Sequence, residues 1–529
     1  GSDTFVLTVQ QWRTQLEGAR VYDNADGTVS AVAPEATRIS DFQAGVGGDV
    51  LDLNELLQAS GFVADGSNPY GDTGPLRFVQ VGVDVQLTLQ GTVVAVLQGV
   101  ALTDLNAANV SPAHAPDGTP PPGQAITGSD FADQLVGSSG ADTITAVGGD
   151  DFADGQAGAD LIDGGDGNDF LRGGNGADTL LGGSGNDQLV DTQGNGNLLD
   201  GGDGDDVLDA SGFSQTGTSS AVLLGGDGCD SLAANSLVSA SLDGGLGNDT
   251  LNSFAVRQAD LAGGAGDDQL LVSVDSFPHA GNDGDARLDE SARLDGGDGN
   301  DTLFASVGSN VGAGQARVAL LGGAGNDTLN VADNQAGVFF ATFAGTAQAS
   351  LDGGDGDDTL RASGVLQLSL TGGAGADTFV LTGQQWRTQL EGTRFFTNLD
   401  GSQTEVAAGP TVITDFQAGT GGDLLDLNDL LNAAGFVADG RNPFGNEGVL
   451  RFAQSGADVQ LSLQGQVVAV LQGVQLADLQ AGNVSPGFPP DGSSPPGVLQ
   501  RVCRSIDGRP GQRHAGRPGW QRHTRWPGR

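Results

Sequence analysis

The chain contains no Lys and no Met, only 2 Cys, and aromatic side chains at 5% of its 529 residues. Each shortage removes a class of protein. Two Cys, Cys229 and Cys503, cannot build a disulfide framework. Hydrophobic residues at 37%, with so few aromatics, leave too little for a conventional large core. No apolar run approaches the ~18 residues a membrane helix needs. Neither a signal peptide nor an initiator Met opens the chain, and Gly1-Ser-Asp-Thr-Phe repeats the internal Gly375-Ala-Asp-Thr-Phe, so the sequence reads as a fragment. Cations are scarce too, with 67 acids against 22 Arg and a net charge of −45. Such a chain repels nucleic acid and anionic lipid, and its natural partners are cations. The four His (His114, His279, His514 and His523) are scattered, with no His-Glu-x-x-His helix and no Gly-x-Ser-x-Gly elbow. Catalysis has nothing to stand on here, and the chain is not read as an enzyme.

What is present is Gly, 90 of it, and repetition. Repeats come first in reading such a chain. Residues 1–123 recur at 375–497 with a constant offset of 374, so that Trp12 falls on Trp386 and Asp41 on Asp415. Over the first 110 positions 75 are identical, which makes the module a duplication. Within it, Leu51-Asp-Leu-Asn-Glu-Leu-Leu reads as a strand-to-helix junction. Val83 to Leu97 alternates with period two about Gln90-Gly91, a β-hairpin. Each copy ends in a Pro/Gly linker.

Between the copies an Asp recurs every nine residues from Asp133: Asp142, Asp151, Asp160, Asp169, Asp178 and Asp187. The best units are Gly164-Gly165-Asp-Gly167-Asn-Asp169, Gly173-Gly174-Asn-Gly176-Ala-Asp178 and Gly182-Gly183-Ser-Gly185-Asn-Asp187, each followed two residues later by Leu. The register continues more sparsely at Asp206, Asp230, Asp249, Asp268, Asp301, Asp327, Asp358 and Asp377. A disordered acidic chain has no reason to keep its Asp in register. A folding chain does. Six Gly-rich residues make a tight turn with inward carbonyls, and three more make a strand with one apolar residue facing the core. Two units close a coil of 18 residues. Coils stack at about 4.8 Å, so carboxylates and carbonyls on one edge repeat at that rise and enclose oxygen pockets suited to a Ca–O distance of ~2.3–2.6 Å. Without metal the stacked carboxylates repel.

The unit resembles the hemolysin-type calcium-binding repeat of RTX (repeats-in-toxin) proteins. That resemblance implies an all-β fold, a parallel β-roll, in which the sixth-position Asp bridges two coils through Ca²⁺, with the Gly residues named above completing the turns. Third-position acids such as Asp166, Asp203, Asp298 and Asp355 are expected to face solvent. Phosphate binding by these Gly turns is excluded by the Asp in each and the lack of Lys. An EF-hand is excluded because Asn24 to Gly27 and Asn398 to Gly401 lack the closing Glu. The duplicated module resembles the type I secretion C-terminal target domain, through Ile39-Ser-Asp-Phe-Gln-Ala-Gly-Val-Gly-Gly-Asp-Val-Leu-Asp-Leu and its partner from Ile413 to Leu427. Asp49 and Asp423 are candidates for a last Ca²⁺ ligand or for a plain turn.

The expected order is a capping module at 1–111, a linker at 112–123, the β-roll at 124–376, a second capping module at 377–485, a linker at 486–499 and a basic tail at 500–529. The tail reverses the composition of the rest, and Gly511-Gln-Arg-His-Ala and Trp520-Gln-Arg-His-Thr, read one nucleotide later, both permit Gly-Asn-Asp-Thr-Leu, so a frameshift is the expected origin. The resemblance implies a type I-secreted, extracellular or cell-surface RTX protein of a Gram-negative bacterium, with calcium ions and the type I secretion machinery as partners. The parent is expected to be a large repetitive surface protein or adhesin; the alternative is the calcium-binding region of a secreted enzyme or pore-forming toxin. Alternate units fall on opposite edges. One edge carries Asp133, Asp151, Asp169, Asp187 and all later turns; the other carries Asp142, Asp160 and Asp178 and then degrades at Asn197. The gaps allow at most about thirteen ions. Four insertions, Ser211–Ser220, Asp275–Ser291, Gly308–Gln315 and Asp333–Thr346, are expected at the metal-poor edge.

Overall fold

A computed structural model describes residues 2–493 apart from 17–19, 24–28, 33–34, 61, 63–67, 71–73, 114, 118–121, 212–218, 275–289, 308–315, 334–345, 398–402, 438–439 and 446–447. The basic tail with its expected frameshift, His114, His279 and most of the four insertions therefore lie outside the described residues.

The nine-residue units fold as expected into alternating strands of two parallel sheets. Ala125–Thr127, Thr143–Thr145, Leu161–Asp166 and Thr179–Ser184 begin one sheet; Gln134–Val136, Phe152–Ala157 and Phe170–Gly176 begin the other. Pairing advances by one coil, with Ile144 on Ile162 and Phe152 on Phe170. Among the described residues the first sheet reaches 16 strands and the second 15, of which 14 follow its main path and Gln193–Gly194 pairs to the side. Each unit sends one apolar side chain inward. Ile162, Leu180, Leu199 and Leu223 stack on one side, Leu171, Leu189, Leu208 and Leu232 on the other, all fully buried. Burying a Leu is worth roughly 1.5–3 kcal/mol. One such residue per nine is thin for a core, and the turns must supply the rest. The architecture is a parallel β-roll.

The two edges differ in topology. Every acidic turn from Asp206 onward leads from the 16-stranded sheet to the 15-stranded one, as from Ser220–Asp227 to Ser231–Ala233. The return connections lie on the opposite edge and use short loops such as Ala362-Ser-Gly-Val, where Gly364 takes φ +79°. The strands bracketing each insertion, Gln269–Val274 and Glu290–Asp298 for example, are joined in this return direction.

The second module extends the roll. Thr411–Ile413 pairs with Gln367–Ala374, and Leu424–Asp426 with Thr378–Leu381, so no break in hydrogen bonding falls near residue 376. Beyond Thr411–Ile413 come Gln466–Leu471, Asp458–Leu463 and Leu450–Ser455, the last three antiparallel. In the first module the equivalent strands form separate sheets of three and four around their own core, including Leu51, Tyr70, Val85 and Leu97. The hairpin Asp84–Leu89 to Thr92–Leu97 turns on Gln90 (φ +48°) and Gly91 (φ +82°), and Asn54–Ala59 is the helix that follows strand Val50–Asp52. Two further helices, Val9–Leu16 and Gly383–Glu391, are not announced by the apolar pattern; in the second, the Thr382 hydroxyl accepts from Gln385 N–H at 3.1 Å as an N-cap.

Candidate metal sites in the stacked turns

Gly has a different task at each position of the turn. A Cβ on the first Gly, Gly164, would collide with Asp169 Oδ2 of its own unit and Gly182 O of the next coil. The fourth residue, Gly167, takes φ +138°, and a Cβ there would collide with Gly149 O of the coil before. The turns are thus packed backbone on backbone, and the side chain they enclose is the sixth-position Asp.

These carboxylates form a continuous ladder. The N–H of Asp133 donates to Oδ1 of Asp151, the N–H of Asp151 to Asp169, and so on through Asp187, Asp206, Asp230, Asp249, Asp268, Asp301, Asp327, Asp358 and Asp377 to Asp423, at 2.6 to 3.1 Å. A shorter ladder on the other edge runs from Gln124 through Asp142, Asp160 and Asp178 to Asn197. So one oxygen of each carboxylate ties its coil to the one before. The second, Oδ2, is buried without a donor in Asp151, Asp160, Asp169, Asp178, Asp187, Asp206, Asp230, Asp249, Asp268, Asp301, Asp327, Asp358 and Asp377. A buried carboxylate oxygen without a partner is costly, and at most turns it recurs beside the carbonyl of the next coil's first Gly, an oxygen-lined place that a cation would fit. Among the described residues no three His, Cys, Asp or Glu side chains converge. The donor set is one carboxylate with backbone carbonyls, which suits Ca²⁺ and not Zn²⁺.

The residues singled out from sequence occupy these places with one difference. Asp142 Oδ2 accepts from Ser138 N–H, so this carboxylate is satisfied without metal; Ser138 stands where the consensus has its second Gly and does not take that Gly's positive φ. Asp151, in a degraded unit, keeps its orphan oxygen. Asp166, Asp203, Asp298 and Asp355 are exposed. Asp423 and Asp49 end their ladders with both oxygens occupied, Oδ1 by Asp377 or Asp3 N–H and Oδ2 by Gln417 or Gln43 N–H, which favours the structural turn.

Two features escape a reading of the repeat alone. The fifth position carries an outer ladder in which Asn186 N–H donates to Asn168 Oδ1, Asp205 to Asn186, Asn300 to Asp267 and Asn326 to Asn300, at 2.7 to 3.1 Å. The preference for Asn or Asp at that position was its signal. The other is Asp191, which replaces a first-position Gly and is also buried with an unpartnered Oδ2.

Metal-free, eight of the inner carboxylates stand out as resisting ionisation. Burial pushes Asp160, Asp206, Asp268 and Asp358 up to about 7 and Asp169, Asp230, Asp301 and Asp377 to about 6. The N–H bond from the neighbouring coil opposes this, and adjacent carboxylates add to it. Burial, then the charge of Asp178, pushes Asp191 to about 9.

The family model of the RTX calcium-binding nonapeptide repeat matches residues 127–162, 154–189, 293–312, 319–333 and 350–364. No curated protein matches the chain. The ladder geometry carries the same turns through Asp206, Asp230, Asp249 and Asp268, between the matched segments. The chain thus carries RTX, hemolysin-type calcium-binding repeats, and they lie on the turns that bury the unpartnered carboxylates.

Proposed function

We propose that this chain is the calcium-triggered folding region of a type I-secreted, extracellular protein, and that the sixth-position Asp residues are its ligands. The observation that carries the reading is the register of orphan Oδ2 atoms, one per coil along the long ladder. Bound Ca²⁺ would neutralise these carboxylates and complete its shell with turn carbonyls. Eleven gaps between the turns of Asp133 to Asp377 and two between those of Asp142 to Asp178 give a ceiling of about thirteen ions. Thirteen ions carry 26 positive charges against the chain's −45. Extracellular calcium modules bind with Kd on the order of 10⁻⁴ to 10⁻³ M, above cytoplasmic and within extracellular calcium. The chain would then leave the cell unfolded and order itself outside.

The test is circular dichroism of the whole chain during a calcium titration. Little β signal in excess chelator and a cooperative rise near millimolar calcium support the reading; an unchanged β spectrum in chelator sinks it. For the parent protein, the gapless duplication of a 123-residue module at offset 374 supports a repetitive surface protein or adhesin. Sequencing the DNA on both sides tests this: further copies of the unit support it, and an adjoining catalytic or pore-forming domain replaces it with a secreted enzyme or toxin.

A further inference from the structure

The short ladder ends at Asn197, where the repeat degrades into Asp191-Thr-Gln-Gly-Asn-Gly-Asn. Pairing of Asn175 with Gln193 and of Gly176 with Gly194 fixes the register, and puts Asp191 one coil beyond Gly173, at the first position. At the other gaps of this edge the first Gly faces two oxygens, the Oδ2 of its own Asp and the backbone carbonyl of the next coil's first Gly. Gly155 so faces Asp160 Oδ2 and Gly173 O. At Gly173 the pattern changes. A Cβ built there would stand 2.7 Å from Asp178 Oδ2 and 2.7 Å from Asp191 Oδ2. The side-chain oxygen of Asp191 therefore stands where the other gaps of this edge present a backbone carbonyl.

Among the described residues no third group answers that pair; the two carboxyls face only each other. Both residues are 1% exposed, and neither Oδ2 has a hydrogen-bond donor. Asp191 Oδ1 takes only a long 3.4 Å bond from Gln193 N–H. Asn197, which accepts from Asp178 N–H at 3.3 Å, supplies a neutral oxygen where the ladder elsewhere supplies a charged one. The carboxylate lost at Asn197 is thus returned at Asp191.

We propose that Asp178 and Asp191 form an additional, terminal calcium site on the short edge, held by two carboxylate Oδ2 atoms where each repeat gap sets one Oδ2 beside a neutral backbone carbonyl. This rests on the calcium reading of the repeats and adds one ion beyond the thirteen gaps. Affinity in oxygen-ligand sites rises with the number of charged ligands. The site should therefore fill first, at calcium concentrations roughly ten-fold below those that fill the repeat gaps.

The test is calcium stoichiometry of the whole chain by equilibrium dialysis and calorimetry, for wild type, Asp191→Asn and Asp191→Gly. The Gly variant restores the consensus residue and guards against a folding failure of the Asn variant. The expected result is one early, tight ion in wild type that both variants lose as a tight event, with the later binding unchanged. The idea is overturned if wild type and both variants bind identically, which would leave the two carboxyls sharing a proton. It is also overturned if the tight event survives in Asp191→Gly. Failure of wild type to bind any calcium would instead defeat the reading of the repeats.

Discussion

Substitution at Asp169 separates the two tasks of its carboxylate. Oδ1 accepts from Asp151 N–H at 2.8 Å, while Oδ2 is the unpartnered atom. Asp169→Ala removes both. The buried N–H of Asp151 loses its acceptor, at about 1–3 kcal/mol. The gap also loses its ion, whose mass-action contribution is about 1.4 kcal/mol at ten times Kd and about 2.7 kcal/mol at a hundred times. In calcium of about 10 mM, with Kd on the order of 10⁻⁴ to 10⁻³ M, Asp169→Ala should cost roughly 2–6 kcal/mol. Asp169→Asn keeps an acceptor for the N–H, as Asn197 does for Asp178, so it should cost only the ion, about 1.5–3 kcal/mol. Asp166, three residues earlier, is exposed and touches only the Ser184 hydroxyl at 2.8 Å; its Ala variant should stay within about 0.5 kcal/mol. Urea unfolding in fixed calcium, with the calcium midpoint from circular dichroism, should rank the losses Asp169→Ala, then Asp169→Asn, then Asp166→Ala. Equal shifts for Asp166→Ala and Asp169→Ala would refute the assignment of the sixth position.

Acidity should act oppositely on the metal-free and loaded forms. The inner Asp are raised in the folded roll to about 6–7, so the fold binds protons that the unfolded chain has released, and metal-free stability falls as pH rises from about 4 to 7. Metal-free chain should gain β signal on acidification over that window, while the calcium midpoint rises as protons compete; a pH-independent midpoint between 5 and 8 would contradict this. Gly225→Ala drives a Cβ into Asp230 Oδ2 and Gly244 O and should abolish one ion in calorimetry, whereas Gly482→Ala meets open space and should be neutral. Mg²⁺ at equal concentration should restore little β signal, since it demands near-octahedral geometry at ~2.0–2.1 Å. Cys229 interrupts the outer ladder: its N–H donates to Asp205 Oδ1 but its side chain offers no oxygen onward, so Cys229→Asn should raise stability by about 0.5–1.5 kcal/mol in thermal unfolding.

The ladder was legible because sequence period and coil length are the same quantity. An Asp that recurs every nine residues must alternate edges, and one that recurs every 19 must stay on one. The exposure of Asp166 and the burial of Asp169 follow from that register alone. What the period conceals is any contact carried by an exception to it. Asp191 reads as decay of a Gly and becomes informative only when Gly173 is seen beneath it. The Asp377–Asp423 rung spans 46 residues, and its second oxygen is closed by Gln417 N–H, a backbone group with no sequence signature. The helix Gly383–Glu391 is nine residues with three Gln, and tertiary packing of Trp386 against the core, not an apolar stripe, holds it in place.

The inequality of the two edges follows from the same physics that makes the turns acidic. A ligand ladder tolerates no insertion, because each N–H must meet the Oδ1 one coil on, and a longer turn would displace that carboxylate from its neighbours. From Asp151 to Asp377 the separation between successive rungs varies between 18 and 33 residues, from Asp151–Asp169 to Asp268–Asp301, yet the bond remains 2.8 Å at both. All the variation in length is therefore absorbed on the return side, where backbone pairing alone sets the spacing. A second complete ladder would have forbidden it. The degradation at Asn197 is then the condition under which later coils could lengthen, and Asp191 sits at the one position where the short ladder still had a charged oxygen to offer before giving way.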